Sequence, residues 1–189
     1  MKKAAKPKPK RPRSKAVAER ATRPRARTAK PAKPKVMRAN TKPQVDPDYC
    51  NYELEARDSP IHRYGVFALE RIPAKRRVIE YAGERITDEQ GWRRRFRKHV
   101  YLFSLSNGMV IDGAVGGSGA EYINHSCEPN IIAREEKGRI WYSSLRVIHP
   151  GEELLVDYQI DSDEVYACHC GSPHCRGVLN GPKTEEDED

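Results

Sequence analysis

The chain has 189 residues, 35 Lys/Arg against 27 Asp/Glu and a net charge of +8, but that charge is unevenly placed. Residues 1–48 carry 17 Lys/Arg against Glu19, Asp46 and Asp48, a net of +14, whereas the remaining 141 carry 18 against 24, a net of −6. The basic character belongs to an arm, so a domain basic throughout is excluded. No apolar run approaches the ~20 residues that span a bilayer, and Lys2-Lys3 is followed by no apolar segment of the signal-peptide kind.

The arm, residues 1–48, also holds eight of the fourteen prolines and almost no large apolar side chain. It cannot bury enough surface to offset its chain entropy, so it is expected to be disordered. The residues that follow are enough for one core. They read as short strands punctuated by glycine. Val66 to Leu69 follows Tyr64-Gly65, and Arg77 to Tyr81 is closed by Gly83. Thr87 with Gln90 three residues on predicts a capping box; acids fill the first turn of that helix, and Arg93, Arg94, Arg95, Arg97 and Lys98 its last. Tyr101 to Leu105 leads into Asn107-Gly108, a strong hairpin signal, and Met109 to Ile111 returns. Arg139 to Tyr142 follows Lys137-Gly138, and Glu153 to Val156 follows Pro150-Gly151. Many short strands and few helices give a mainly β fold of small sheets.

Four of the five cysteines form one pattern: Cys127 inside Asn124-His125-Ser126-Cys127, then Cys168-x-Cys170-x₄-Cys175. Three closely spaced thiols with a distant fourth suit a closed four-thiolate zinc site, which would tie the C-terminal tail onto the Asn-His segment. The bland alternative is a set of unrelated free thiols. His169 and His174 are candidate substitute ligands, better suited to supporting or solvent roles. Cys50 has no partner in this scheme. An odd cysteine count favours a reducing interior, and zinc over disulfides. An intracellular setting is therefore expected.

Gly65-Val66-Phe67-Ala68, Tyr81-Ala82-Gly83, Tyr122 to Asn130, Gly151 to Tyr158 and the cysteines from Cys168 to Cys175 occur in an order that resembles the SET-domain protein lysine methyltransferases with their post-SET zinc segment. The resemblance implies a SET domain over 49–160, a zinc-binding segment over 161–180 and an acidic end over 181–189. It implies a pseudoknot, in which the segment after Asn124-His125 is crossed by the chain near Tyr158. S-adenosylmethionine would sit against Gly65 and Phe67, with Tyr81, Asn124, His125 and Tyr158 completing the cofactor site. Zn²⁺ would be held by Cys127, Cys168, Cys170 and Cys175. Tyr158 would supply the central catalytic hydroxyl, and Tyr101 would line the lysine channel. The amine must be neutral to attack although its free pKa is ~10.4; a desolvating aromatic channel beside a sulfonium disfavours the ammonium form.

Three departures carry expectations. Arg63 stands where the family's first glycine usually falls, which predicts a turn of different shape. Glu121 and Tyr122 replace the usual Arg and Phe, both expected to be mild changes. Val156 replaces the Phe or Tyr that commonly limits methylation, so room for more than one methyl is expected. The activity implied is methyl transfer to a lysine of a histone or histone-like protein, with self-methylation of the arm a further possibility. A non-catalytic SET-fold chromatin- or DNA-binding module is the alternative. The arm is either a solvated localisation segment or a sequence-independent DNA ligand that neutralises phosphates, and charge at this density favours DNA. Cytoplasm or nucleoid would suit a bacterial source, and nucleus or chromatin a eukaryotic or host-delivered one.

Overall fold

The computed structural model describes residues 42–182; the greater part of the basic arm and the acidic end lie outside the described residues. Among the described residues ten short strands build four small sheets. Strand β1 (Leu54–Asp58) pairs antiparallel with β2 (Tyr64–Ala68), Ala56 facing Val66. Strand β3 (Arg77–Tyr81) joins β9 (Arg139–Ser144), which also pairs with β8 (Ile131–Glu136) in the order β3-β9-β8. Strands β4 (Glu84–Thr87), β5 (Leu102–Ser104) and β6 (Met109–Asp112) form a third sheet in the order β4-β6-β5. The fourth is parallel, β7 (Asn124–His125) against β10 (Leu155–Val156).

The turns explain why short strands pair. Lys137 (φ 52°) and Gly138 (φ 71°) are both left-handed, the requirement of the two-residue turn whose twist matches a hairpin. Between β5 and β6, Gly108 takes φ 75°, and the Met109 N–H donates to Asn107 Oδ1 at 3.1 Å. Helix α1 (Asp88–Arg94) starts on the expected capping box: Gln90 N donates to Thr87 Oγ1 at 3.3 Å, and Thr87 N to Gln90 Oε1 at 3.0 Å. The helix ends sooner than its run of arginines suggested, with Arg95 as C-cap. Gly91 lets it lie on Val110, because a Cβ there would stand 3.2 Å from Val110 Cγ2.

One core unites the sheets. Val66, Ile72, Val78, Ile79, Ile131, Ile148 and Leu154 are fully buried within it. Each such side chain contributes about 1.5–3 kcal/mol on burial. Val45 packs on this core, and the Asp46 N–H donates to the Ser118 carbonyl at 2.8 Å, so the chain is tied to the domain before residue 48. Cys50 is a free thiol; burial and then Asp46 push it up to about 12, which leaves it unreactive.

Candidate active site and metal centre

The parallel pair β7–β10 organises the site. Its register sets Leu155 beside Asn124 and Val156 beside His125. Asn130 secures it: Leu155 N donates to Asn130 Oδ1 at 2.8 Å, and Asn130 Nδ2 donates to the Glu153 carbonyl at 2.7 Å. Two segments some thirty residues apart are thus locked together, the contact on which the expected crossing depends.

Asn124 is buried, and its amide faces inward. Nδ2 donates to Glu153 Oε1 at 2.8 Å, the Tyr64 carbonyl at 2.9 Å and the His62 carbonyl at 3.3 Å. The same Glu153 carboxylate accepts from Ser59 Oγ at 2.9 Å. Gly65 is required by this network, since a Cβ there would lie 2.1 Å from Glu153 Oε1. Arg63 takes the turn's left-handed position at φ 45°, a conformation that costs a non-glycine residue about 1–2 kcal/mol. Phe67 is buried in β2, with the Arg57 guanidinium 3.9 Å from its ring centroid.

Beside this turn stands a group of tyrosines. Tyr64 and Tyr101 each meet Tyr122 edge-on, at 6.1 and 6.0 Å between centroids. Tyr81 is buried, and its hydroxyl donates to the Tyr101 carbonyl at 2.8 Å, so it holds the chain at Tyr101 just before β5. Tyr158 is 43% exposed as a residue, yet its hydroxyl end is deep and donates to the Ile123 carbonyl at 2.8 Å. Burial raises the Tyr158 phenol, and Tyr101 and Glu153 add to the rise; burial likewise raises Tyr101, Tyr122 and Tyr81. The result is a cage of neutral hydroxyls and ring faces that can desolvate an amine, with the carboxylates of Glu121 and Glu153 near enough to act on its hydroxyls.

His125 bridges from this cage to the thiols. The Tyr158 N–H donates to His125 Nδ1 at 3.1 Å, so Nδ1 is the accepting nitrogen and Nε2 carries the proton. Nε2 lies 3.4 Å from Cys127 Sγ. Burial holds this imidazole below its ordinary value, with Asp157 opposing and Arg176 assisting. Cys127 Sγ lies 3.8 Å from Cys168 Sγ and 3.9 Å from Cys175 Sγ. A tetrahedron of ~2.3 Å zinc–sulfur bonds has edges of about 3.8 Å, so the spacing fits a thiolate zinc site. His125, Cys127, Cys168 and Cys170 also bring their ligand atoms within 4.8 Å of one another. His125 thus borders the thiol group, but with Nδ1 engaged by Tyr158 and Nε2 protonated it becomes a ligand only by losing that proton, a choice the cysteine spacing did not raise. The sulfurs accept backbone N–H groups, Arg176 N on Cys127 and Gly177 N on Cys175, each at 3.4 Å. Burial works against the Cys170 thiolate, but the N–H groups of Cys127 and Ser172 and the neighbouring thiols bring it down to about 6.

Sequence reasoning passed over the clamps around this centre. Arg176 forks onto Asp157 at 2.7 and 2.6 Å, one residue before Tyr158. Glu128 accepts from His174 Nδ1 at 2.7 Å and from Ser172 Oγ. His174 is thus an exposed ion-pair partner and stands apart from the metal-ligand group. Glu153 was visible only as a letter in Gly151-Glu152-Glu153. Glu121 is buried beside Tyr81, accepts from Gly119 N at 2.8 Å through Oε2, and leaves Oε1 without a hydrogen-bond partner. Burial raises its carboxyl to about 7.

Comparison with known proteins gives the arrangement its family. The SET-domain model matches residues 63–159. A histone-lysine N-methyltransferase of Saccharomyces cerevisiae, specific for H3 lysine 4, is 40% identical over 136 residues, 65% of this chain and 13% of that protein. The histone-lysine N-methyltransferase set1 of Dictyostelium discoideum is 40% identical over 135 residues, 65% of this chain and 9% of its own length. This chain thus spans only a small part of these relatives. Among solved structures, KRYPTONITE in complex with mCHG DNA and SAH superposes at a TM-score of 0.59 with 28% identity, covering 69% of this chain and 29% of that one. An active polycomb repressive complex 2 in the stimulated state gives 0.54 and 33%, covering 58% and 15%. A match across half its length, over the residues that build the turn, the parallel pair and the tyrosine cage, shows that this chain belongs to the SET-domain family.

Proposed function

We propose that the protein is an S-adenosylmethionine-dependent protein-lysine N-methyltransferase whose substrate is a histone or a histone-like DNA-binding protein. The observation that carries the reading is the placement of the Tyr158 hydroxyl. It is held on the Ile123 carbonyl, within the cage of Tyr81, Tyr101 and Tyr122 and two residues beyond β10. An amine entering beside Tyr101 loses water, which lowers its proton affinity. Backbone carbonyls and tyrosine oxygens can then orient the neutral nitrogen for an in-line displacement at a sulfonium methyl, where alignment supplies much of the rate.

In this reading Gly65, Phe67, Asn124 and His125 form the cofactor side. Asn124 acts chiefly by fixing the Tyr64-Gly65 turn, because its amide is engaged by that turn and Glu153. Tyr81 acts through Tyr101, whose carbonyl it holds. Cys127, Cys168, Cys170 and Cys175 would hold Zn²⁺, which when bound would fasten the segment over 161–180 to the domain over 49–160. Ala167 bridging Val178 closes that segment on itself, and Ile160 bridging Asn180 joins its end back to the domain. Val156 leaves room beside the amine for more than one methyl. The arm over 1–48 would bind DNA without reading sequence, and the action would take place where DNA and histone-like proteins are found. The activity of the relatives, histone-lysine methyl transfer, supports the substrate class.

The test is transfer of labelled methyl from S-adenosylmethionine to core histones, to a bacterial histone-like protein and to the enzyme alone. Label on a basic protein supports the reading, and the labelled band names the acceptor class. Bound cofactor and zinc without label on any acceptor would favour a non-catalytic binding module.

A further inference from the structure

Helix α1 and the turn after it present an unusual surface. Trp92 is 59% exposed, Phe96 77% and Val100 46%, on a segment that also carries Arg93, Arg95, Arg97 and Lys98. Trp92 and Phe96 meet edge-on, 6.2 Å between centroids at 86°, so their faces point in different directions. Arg95 places its guanidinium 3.9 Å from the Trp92 centroid. Part of the positive charge is consumed locally. Arg93 pairs with Glu89 at 2.6 Å, and Arg94 and Arg97 share Asp112 at 2.6 and 3.2 Å. Arg95 and Lys98 make no ion pair among the described residues, and Arg63 leans in from the neighbouring turn to His99 at 3.0 Å.

A merely solvated cationic face has no use for two exposed rings, Phe96 open and Trp92 covered on one face by Arg95. We propose that this surface binds single-stranded nucleic acid, taking unpaired bases on Trp92 and Phe96 and the flanking phosphates on Arg95 and Lys98. Stacking on aromatic faces, with arginine beside them, is how strands are held without regard to sequence. A duplex is poorly served here because its bases are already stacked at ~3.4 Å intervals. Two perpendicular rings 6.2 Å apart suit bases that have been spread. Composition points the same way. Residues 1–48 contain no Phe, Tyr or Trp, so the arm offers charge without stacking and must treat single and double strands by their phosphates alone. The surface on α1 adds the term the arm lacks. It stands on residues 92–100 and is independent of whether methyl transfer occurs.

The experiment uses the full chain and a fluorescein-labelled twelve-nucleotide strand of mixed sequence, alone and annealed to its complement, followed by anisotropy. The variant Trp92→Ala/Phe96→Ala removes two exposed rings and leaves every charge in place. It is expected to weaken single-strand binding roughly ten-fold or more, the scale of stacking one or two bases, and to leave duplex binding within about two-fold. Equal affinity of variant and wild type for the single strand would overturn the proposal. Equal loss on both probes would do so as well, because it would make the rings supports for the charges rather than stacking platforms. If the variant instead lost labelling of a basic protein acceptor with single-strand affinity intact, the surface would be a protein-docking site and the proposal would fail.

Discussion

Replacing Glu121 by Gln should stabilise the protein at neutral pH and leave it nearly unchanged in acid. The carboxyl is buried, Oε1 has no hydrogen-bond partner, and burial lifts it from 4.5 to about 7 against the help of its own and the Gly119 N–H groups. As pH rises through 4.5 the unfolded chain releases this proton, while the folded chain keeps it until about 7. Over that window the folded state binds the extra proton, so stability falls with rising pH and is flat above it. At about 1.4 kcal/mol per pH unit the penalty totals about 3 kcal/mol, of which roughly 2 falls between pH 5 and 7.5. Gln pays no ionisation cost. Urea unfolding of wild type and Glu121→Gln at pH 5 and 7.5, in one zinc buffer so that metal linkage cancels in the difference, reads this directly. The advantage of Gln should grow by roughly 2 kcal/mol between the two pH values. A difference that does not change with pH would refute the reasoning, because it would place the charged carboxylate in water or on an unrecognised cation.

Three further outcomes follow from the clamps. Gly65→Ala puts a Cβ 2.1 Å from Glu153 Oε1 and must expel that carboxylate from Asn124 and Ser59. The expected loss is about 1–3 kcal/mol by thermal unfolding, and Glu153→Ala in the same chain should recover part of it. Cys175→Ser should reduce bound zinc by elemental analysis from one ion per chain, and retention of full stoichiometry would contradict the assignment of Cys175 as a required ligand. Arg176→Ala removes the fork on Asp157 without touching a thiol. Residues 160–182 should then become more open to proteolysis with zinc retained, whereas unchanged cleavage would show that the metal alone holds the segment.

Some of this was legible in the chain and some was not, and the division is physical. The Thr87–Gln90 box and the Asn107-Gly108 hairpin depend on near neighbours, and both form as their letters dictate. Strand β1, Leu-Glu-Ala-Arg-Asp, and strand β8, Ile-Ile-Ala-Arg-Glu-Glu, are rich in residues that favour helix as much as strand. Pairing with β2 decides the first, and the left-handed Lys137-Gly138 turn that adjoins β8 and its pairing with β9 decide the second. At the site, the spacing of Asn124, His125, Cys127 and Tyr158 announced a constellation. It did not say that the Asn124 amide would be engaged by the Tyr64-Gly65 turn, or that the Tyr81 hydroxyl would hold Tyr101. A motif names a side chain; its partner comes from the crossing of distant segments. Glu121 is the instructive case, in the sequence a mild replacement of Arg although its consequence depends wholly on burial.

The central claim is tested most directly by one substitution, Tyr158→Phe, compared with wild type in single-turnover methyl transfer and in cofactor binding. The change deletes one oxygen that donates to the Ile123 carbonyl and leaves the ring against His125. Methyl transfer should fall by about 10²–10³, the scale of one oriented polar group at a reacting centre, with cofactor affinity and zinc content unchanged. A Phe variant that transfers methyl at the wild-type rate would contradict the assignment of Tyr158 and the reading of the cage built around it.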